Sequence, residues 1–509
     1  AVSMPPEEAF QEAFFLRPKM DLKSCCLASF KPALEQGPAD QDTGLTNKFS
    51  CLSGRSPDCR FDGYYVSLYK HPAIVTAYNY KREIIMSKLL SISFRRIFIG
   101  LTALAAGLAA AQDIPWANSA EDVGMSSERL QRINTVMQRH MDAGDIQGAV
   151  TVVARQGQLV HFETHGLMDV DNNRPMQEDS IFIMMSSTKP VLGVAAMMMI
   201  EEGLMRPEDP VSKYIPEFAD MQVAVLKDKV MEQVSPYRVD PENPPAHRLV
   251  PAAREITIHD LLTHTSGLAS GGLGTAVSQR PARDTDSDLA SIIPQYADYA
   301  LDFQPGSRWA YSPGVGLDVV ARIIEIVSGQ DFNDFLSERI FGPLQMNDTW
   351  FNVPPEYQNR RVVIEDRDMS RFFDRPPTKY WSASGGLSST AGDYLKFEQM
   401  LINGGELYGN RLLSPRSVRM MGSNQIGDLY RGFSQNQSGM GFGYTVGVTV
   451  DPISSNARRS GGAFGWGGAF GTRSWTDPSE ELTAVIFLQQ PYGPAQYDFE
   501  NAVQQAIID

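Results

Sequence analysis

Between Ser127 and Ala143 the apolar residues Leu130, Ile133, Met137 and Met141 recur at helical spacing, and Gly144 closes the run, which predicts an amphipathic helix. The period then changes. GAVTVVARQGQLVHFETHG, residues 148–166, holds two β-rich runs around Arg155-Gln156-Gly157 and predicts a hairpin. The far end mirrors it, with predicted strands over Gly443–Val450, Gly471–Thr476 and Leu482–Gln489 and a closing helix over Asp498–Ile507. Between the two ends the text is mainly helical. The run after Pro190, VLGVAAMMMIEEG, is apolar on all sides and reads as a buried helix, with Met184-Met185 and Met197-Met198-Met199 as core residues. Leu317–Val327 predicts a second apolar helix, and Val223–Arg254, rich in Pro and charge, reads as a loop excursion. Strands at both ends of a helical middle predict an α+β fold. Residues 112–185 and 440–509 would build one antiparallel sheet flanked by terminal helices, with a mainly helical part, 186–439, inserted and a pocket at the seam.

The N-terminal region reads differently. From Met86 the text runs MSKLLSISFRRIFIGLTALAAGLAAAQ: a basic start (Lys88, Arg95, Arg96), a short apolar stretch (Ile97–Leu108) and the small residues Ala109-Ala110-Ala111. That is the layout of a secretory signal peptide, 86–111, with cleavage expected after Ala111 and a periplasmic or secreted destination. The apolar part is well short of the roughly 20 residues that span a bilayer, so the mature chain is expected to have no integral membrane segment. Residues 1–85 show no sustained helical or strand period and are read as a non-native or upstream-translated segment. They hold all four cysteines (Cys25, Cys26, Cys51, Cys59), so the part from 112 to 509 would use no disulfide. With 45 Lys and Arg against 60 Asp and Glu, the net charge of −15 argues against nucleic acid or anionic lipid as a partner.

The candidate chemistry begins at Ser186-Ser187-Thr188-Lys189-Pro190. Proline lacks an N–H and sits without penalty in a first helical turn, so a helix starts close to Ser186 and Lys189 lies one turn on along the same face. A serine there feels the positive end of the helix dipole, and a lysine desolvated by apolar neighbours can accept its proton. Alone, S-x-x-K is a weak signal: Ser67-Leu68-Tyr69-Lys70 is a second copy, and an ordinary helix cap beside a solvated lysine explains the pattern as well. Tyr311 falls in a turn before the Leu317–Val327 helix, as a proton-transfer group or as a buried aromatic with a bonded hydroxyl. Trp466-Gly467-Gly468, followed by Ala469, reads as an edge strand almost without side chains. A substrate could lie against that backbone, and an N–H there could join that of Ser186 around an oxyanion; a bulge or turn is the plainer reading. His259 and His264 read as structural hydrogen-bonders, and His161 and His165, in a strand-like run, are not expected to form the close pair that the same spacing gives on a helix. No H-E-x-x-H, Cys–His set or phosphate loop occurs, so neither metal nor cofactor is expected, and no G-x-S-x-G elbow suggests an α/β-hydrolase.

In order, S-x-x-K at Ser186, Y-S-x at Tyr311 and the glycine-rich box at Trp466 resemble the serine β-lactamase and penicillin-binding-protein superfamily. ITIHDLLTHTSGL (256–268) and GGLSSTAGDYLKF (385–397) are similar to stretches common there. The resemblance implies a β-lactamase-like fold from about Ser127 onward. Two departures bear on function. Class C β-lactamases carry Asn two residues after the tyrosine, where this chain has Pro313, and Lys-Thr-Gly where it has Trp466-Gly467-Gly468. Trp for Lys removes a charge and adds an apolar wall. The W-G-G form resembles the family VIII carboxylesterases. It implies a serine carboxylesterase that hydrolyses short-chain acyl esters through an acyl-enzyme. Ser186 would be the nucleophile, Lys189 and Tyr311 its proton relay, Ser186 and Ala469 the oxyanion donors, and Trp466, Gly467, Gly468 and Pro313 the substrate-binding wall for a small-molecule ester. Arg458 or Arg459 is a candidate to replace the missing cation. The alternatives are a class C-like β-lactamase or D-amino-acid peptidase on the same machinery, and a non-catalytic cell-wall-binding protein.

Overall fold

The computed structural model describes residues 113–227, 239–364, 376–433 and 437–509; the leader read over 86–111 and the segment before it lie outside them. The first predicted helix forms as α1 (Arg132–Asp142), after a short turn of helix at Ser127–Leu130, with Ile133 and Met137 on its buried face. The predicted hairpin follows as β1 (Gly148–Arg155) and β2 (Gln158–Asp169), with β3 (Arg174–Pro175) beside it. The chain next enters the helical part through α2 (Lys189–Glu201), a hairpin of β4 (Gln222–Leu226) and β5 (His247–Pro251), α3 (Gly316–Ser328) and α4 (Ala391–Ile402). It returns to the sheet as β6 (Met440–Phe442), β7 (Gly447–Thr449), β8 (Phe464–Gly467), β9 (Thr472–Asp477) and β10 (Leu482–Phe487), and ends in α5 (Gly493–Gln504).

The main sheet has eight strands in the order β6-β7-β8-β9-β10-β1-β2-β3, and its neighbours pair antiparallel. β1 and β10 are buried along their whole length because both faces of the sheet are covered. Alternation sorts the side chains: Ala149, Val153, Trp475, Ala484 and Ile486 meet α1 and α5, while Val150, Val152, Val485 and Phe487 meet the helical part. The apolar burial on both faces is the main driving force for joining the ends of the chain around the insertion.

Five expectations change. The strand read over Gly443–Val450 is two short strands, because Gly443 donates to Val446 O at 2.8 Å and Thr445 takes a positive φ of 69° in the turn between them. The excursion Val223–Arg254 contains the β4–β5 hairpin; β4 also bonds to Leu301 through Leu301 N to Gln222 O at 2.7 Å, a long-range partner that local text does not show. The last helix starts earlier than Asp498, at Gly493, with Pro494 in its first turn. The W-G-G strand is not at the edge, since β7 pairs with it at Phe464 and Gly465; that pairing stops there, and the outer side of Trp466 and Gly467 is left beyond it. Finally, His161 and His165 do converge. They lie on β2 across from Val153 and Ala149, on either side of Thr151, and each Nε2 is 2.8 Å from the Thr151 hydroxyl. Burial holds both imidazoles low, at about 3 and about 4, so they are neutral partners of one hydroxyl.

Candidate active site

Ser186 lies in a tight helical turn, Met185–Thr188, that leads directly into α2. Met185, just before it, has φ of +46°, a conformation that costs a non-glycine residue of order 1–3 kcal/mol. The turn is held from behind: the Ser187 hydroxyl meets Thr472 Oγ1 at 2.9 Å, and the buried Tyr394 hydroxyl donates to Ser187 O at 2.7 Å. At the end of β8, Gly468 approaches so closely that a Cβ there would lie 2.2 Å from Met184 O and 2.3 Å from Thr472 Oγ1. Glycine is therefore required where the sheet meets the serine turn.

The three residues singled out for proton transfer come together. Lys189 Nζ is 3.1 Å from Ser186 Oγ, and the Tyr311 hydroxyl is 2.7 Å from the same oxygen. Ser186 and Tyr311 are half-buried, whereas Lys189 is completely enclosed. Lysines in ion pairs among the described residues are Lys213, Lys379 and Lys396; Lys189 is held instead by the carbonyls of Pro313 (3.2 Å) and Ser384 (2.5 Å) and lies 5.0 Å from the Tyr311 ring centroid. Nζ thus has three polar neighbours; as a neutral amine it gives its two N–H groups to the carbonyls and turns its lone pair to the Ser186 hydroxyl. Pro313 therefore contributes its carbonyl to the lysine and is itself exposed.

Trp466 closes one side. Its indole N–H points to the Tyr311 hydroxyl at 3.5 Å, so Trp466 offers an uncharged donor toward the tyrosine. Gly467 continues the ladder opposite Arg473, and the Gly468 N–H is spent on Thr472 O at 2.7 Å. Ala469 lies past the end of the strand, exposed on the β8–β9 turn, where its N–H is outside the ladder. Trp309, Tyr311, Tyr430, Phe442 and Trp466 form an aromatic cluster around the tyrosine. Phe433, 55% exposed, lies 5.3 Å from the Tyr311 ring and 5.4 Å from that of Trp466 and extends the cluster to the surface.

His259 bonds to the Tyr444 hydroxyl at 3.2 Å, as its structural reading expects. His264 is closer to the site than that reading suggested: its ring centroid is 4.7 Å from that of Tyr311, and its Nδ1 accepts from Ser312 N at 3.3 Å. Full burial, then the nearby Lys189 charge, holds it well below the ordinary imidazole range, so it is neutral. Arg459 does not supply a cation to the cleft. It is bound to Glu500 of α5 at 3.2 Å, with its guanidinium over Trp475, on the opposite face of the sheet. Sequence reading missed Ser384, whose contribution is a main-chain carbonyl that no side-chain pattern marks; its nearest signal was the adjacent GGLSST text. Among the described residues no group of three or more His, Cys, Asp or Glu could hold a metal ion.

Comparison with known proteins shows the family. The family model described as Beta-lactamase matches residues 133–507. The chain belongs to the beta-lactamase family. Relatives in this family include Protein Rv1367c of Mycobacterium tuberculosis, 36% identical over 369 residues, which covers 68% of this chain and 87% of the relative. Esterase EstB of Burkholderia gladioli is 28% identical over 408 residues, covering 73% of this chain and 94% of EstB. Among solved structures, EstCE1, described as a hydrolase with promiscuous acyltransferase activity, aligns with a TM-score of 0.59 at 22% identity. The alignment covers 74% of this chain and 99% of EstCE1, a likeness of fold. As a member of the beta-lactamase family with the β-lactamase and penicillin-binding-protein architecture, the protein is a serine hydrolase.

Proposed function

We propose that this protein is a serine carboxylesterase of the family VIII kind that hydrolyses short-chain acyl esters. The Ser186 oxygen attacks the ester carbonyl, and its proton passes to the Lys189 and Tyr311 pair that touches it, taken up by the lone pair of Lys189 Nζ in its neutral amine form. The main-chain N–H groups of Ser186 and Ala469 receive the negative charge on the carbonyl oxygen. The relay returns a proton to the alcohol as the C–O bond breaks, and water then hydrolyses the acyl-enzyme by the same steps in reverse.

The observation that carries the ester reading is the uncharged aromatic wall at the nucleophile. A β-lactam brings a carboxylate and a peptidase substrate a charged terminus; Trp466 offers an indole where a lysine would meet that charge, and Arg459 is engaged by Glu500. A lost charge-assisted contact costs about 1.5–3 kcal/mol, or roughly ten- to a hundredfold in rate. An ester needs only the oxyanion donors and an apolar surface. The 28% identity to EstB agrees with this reading. A bonded serine–lysine–tyrosine set has no use in a pure binding module.

The test is a side-by-side assay of p-nitrophenyl butyrate and a chromogenic cephalosporin with the wild type and Ser186→Ala. The ester should be the better substrate. Ser186→Ala should abolish its hydrolysis at a stability cost of at most about 1–2 kcal/mol, since one hydroxyl at a helix start is lost. Faster cephalosporin turnover would transfer the assignment to a β-lactamase, and near-normal esterase activity in Ser186→Ala would remove Ser186 from the reaction. We also propose export to the periplasm or medium, on the basic, apolar and small-residue order of 86–111.

A further inference from the structure

We propose that Asp318 is a positioning residue for Lys189, acting through the 380–386 segment that its carboxylate holds against the lysine. The inference rests on the reading of Ser186 as the nucleophile and Lys189 as its proton partner.

Asp318 lies in the first turn of α3 and is completely buried. Its donors converge from one segment. The Tyr380 hydroxyl donates at 2.9 Å, the Ser382 hydroxyl lies 3.2 Å from both carboxylate oxygens, and the Ser384 N–H donates to Oδ1 at 2.8 Å. The segment in turn fixes its own next peptide, since Ser382 O accepts from Gly385 N at 3.3 Å and Gly386 N at 2.8 Å. A trans peptide is planar, with its N–H and C=O pointing opposite ways. Binding Gly385 N–H to Ser382 O therefore turns the Ser384 carbonyl outward, and its target there is Lys189 Nζ at 2.5 Å. Removing the Asp318 acceptor frees both Ser382 and Ser384, and with them that carbonyl.

The same helix start supplies the lysine's other carbonyl. Pro313 O, 3.2 Å from Nζ, precedes α3 by three residues, and Tyr311 stands just before it. One turn of chain thus holds Tyr311 and Pro313 directly and Ser384 through Asp318, which makes the start of α3 the common support of the groups around Ser186. The position is expensive to keep polar. Burial raises the carboxyl's pKa, and the Arg283 charge and the donated hydrogen bonds work against that rise. Arg283 is seated 4.2 Å over the Tyr380 ring, within the same assembly. What separates a positioning residue from a mere loop anchor is the effect at Ser186.

The experiment measures the rate at which a fluorophosphonate probe labels Ser186, read as an intact-protein mass shift, together with kcat and KM for p-nitrophenyl butyrate. Four variants are compared with the wild type, each checked for folding by circular dichroism and melting. Asp318→Leu removes the acceptor and should slow labelling and kcat on the order of 10²-fold, with KM changed by less than about twofold, as expected when a reacting group is misplaced rather than the substrate site lost. Asp318→Ala carries the same expectation and serves if the leucine variant does not fold. Asp318→Asn keeps an acceptor for Ser384 N–H and should retain labelling to within about fivefold. Asp393→Leu is the structural control: this buried aspartate also holds a loop, its carboxylate bonded to Asp348 N at 2.6 Å, Thr349 Oγ1 at 3.1 Å and Lys396 Nζ at 3.1 Å, and its loss should lower the melting temperature while labelling stays within about twofold of wild type. Wild-type labelling rates in folded Asp318→Leu or Asp318→Ala overturn the proposal, as does a hundredfold loss in Asp318→Asn or in Asp393→Leu. A wild type that the probe does not label at Ser186 overturns the nucleophile assignment and this inference with it.

Discussion

The Ser186 oxygen has two polar neighbours, Lys189 Nζ at 3.1 Å and the Tyr311 hydroxyl at 2.7 Å, and in the proposed mechanism a single proton moves among the three groups. Removing either neighbour should therefore be costly, and removing both little worse. Lys189→Ala and Tyr311→Phe should each lower kcat by ~10² to 10⁴, because each removes a proton-transfer partner. The double variant should lose less than the product of the single losses. Steady-state kinetics of the three purified proteins check this, and fully multiplicative losses would mean that the two act separately. These residues were legible because S-x-x-K, Y-S-x and the glycine-rich box, in that order, resemble the serine β-lactamase and penicillin-binding-protein superfamily; spacing alone left Ser186 and Lys189 open to the reading of an ordinary helix cap. The Pro313 and Ser384 carbonyls and the Asp318 carboxylate were not legible. Two act through main-chain atoms that every residue possesses, and the third is an ordinary acidic residue near a helix start until the fold brings Tyr380, Ser382 and Ser384 to it.

In the proposed function, the element that sets selectivity is the β8–β9 hairpin. Its glycines let the strand end close on Met184, its tryptophan faces Tyr311, and its turn carries Ala469. Trp466→Lys replaces the apolar wall with a cation beside Tyr311. It should raise cephalosporin turnover relative to p-nitrophenyl butyrate turnover by roughly ten- to a hundredfold, the value of one charge-assisted contact to a carboxylate. The ratio of kcat/KM for the two substrates measures it, and an unchanged ratio would show that charge at this position does not set the preference. The sequence reading expected a strand at Trp466-Gly467-Gly468 and another over Gly471–Thr476, but misread the place of the first in the sheet. A strand's own text carries its alternation, whereas the neighbour that pairs with it, here β7 at Phe464 and Gly465, is chosen by the sheet as a whole.

Across the whole molecule, buried titratable groups link stability to pH from both sides. Glu398 of α4 accepts from Ser474 Oγ at 2.6 Å and Thr476 Oγ1 at 2.7 Å on β9, and burial pushes its carboxyl up to about 7. The unfolded chain releases that proton near the ordinary 4.5, so between 4.5 and about 7 the folded state holds more protons and stability falls as pH rises. The loss amounts to about 3 kcal/mol once both states are ionised. His161 and His165 act in the opposite sense. They stay neutral in the fold down to about 3 and about 4, whereas the unfolded chain takes up protons near 6.5, so stability falls as pH drops below 6.5. Melting temperatures from pH 4 to 8 should show the alkaline loss weakened in Glu398→Gln and the acid loss weakened in a His161→Gln, His165→Gln double variant. At the same scale, residues Ala111–Asp509 form one unit. A chain that starts at Gln112 should fold and keep full esterase activity, and protein exported from a gene that starts at Met86 should show cleavage after Ala111 by mass spectrometry. Loss of activity on removing residues 1–85 would show that they belong to the working protein.

By itself the sequence determined the fold class, the hairpin at one end and the strands at the other and the all-round burial of α2, and its resemblance to a known family singled out Ser186, Lys189 and Tyr311, which the structure brings together. The elements are properties of local spacing and of burial, which apolar periodicity records directly. Only the tertiary structure decided that His161 and His165 share the Thr151 hydroxyl, that Arg459 turns to Glu500 and away from the cleft, that the W-G-G strand has a neighbour, and that Asp318 reaches Lys189 through Ser384. Each of these is a meeting of residues distant in the chain or on adjoining strands. Hydrogen bonds are short and directional, so which donor meets which acceptor depends on backbone placement to a fraction of an ångström, and hydrophobic periodicity carries no record of that placement.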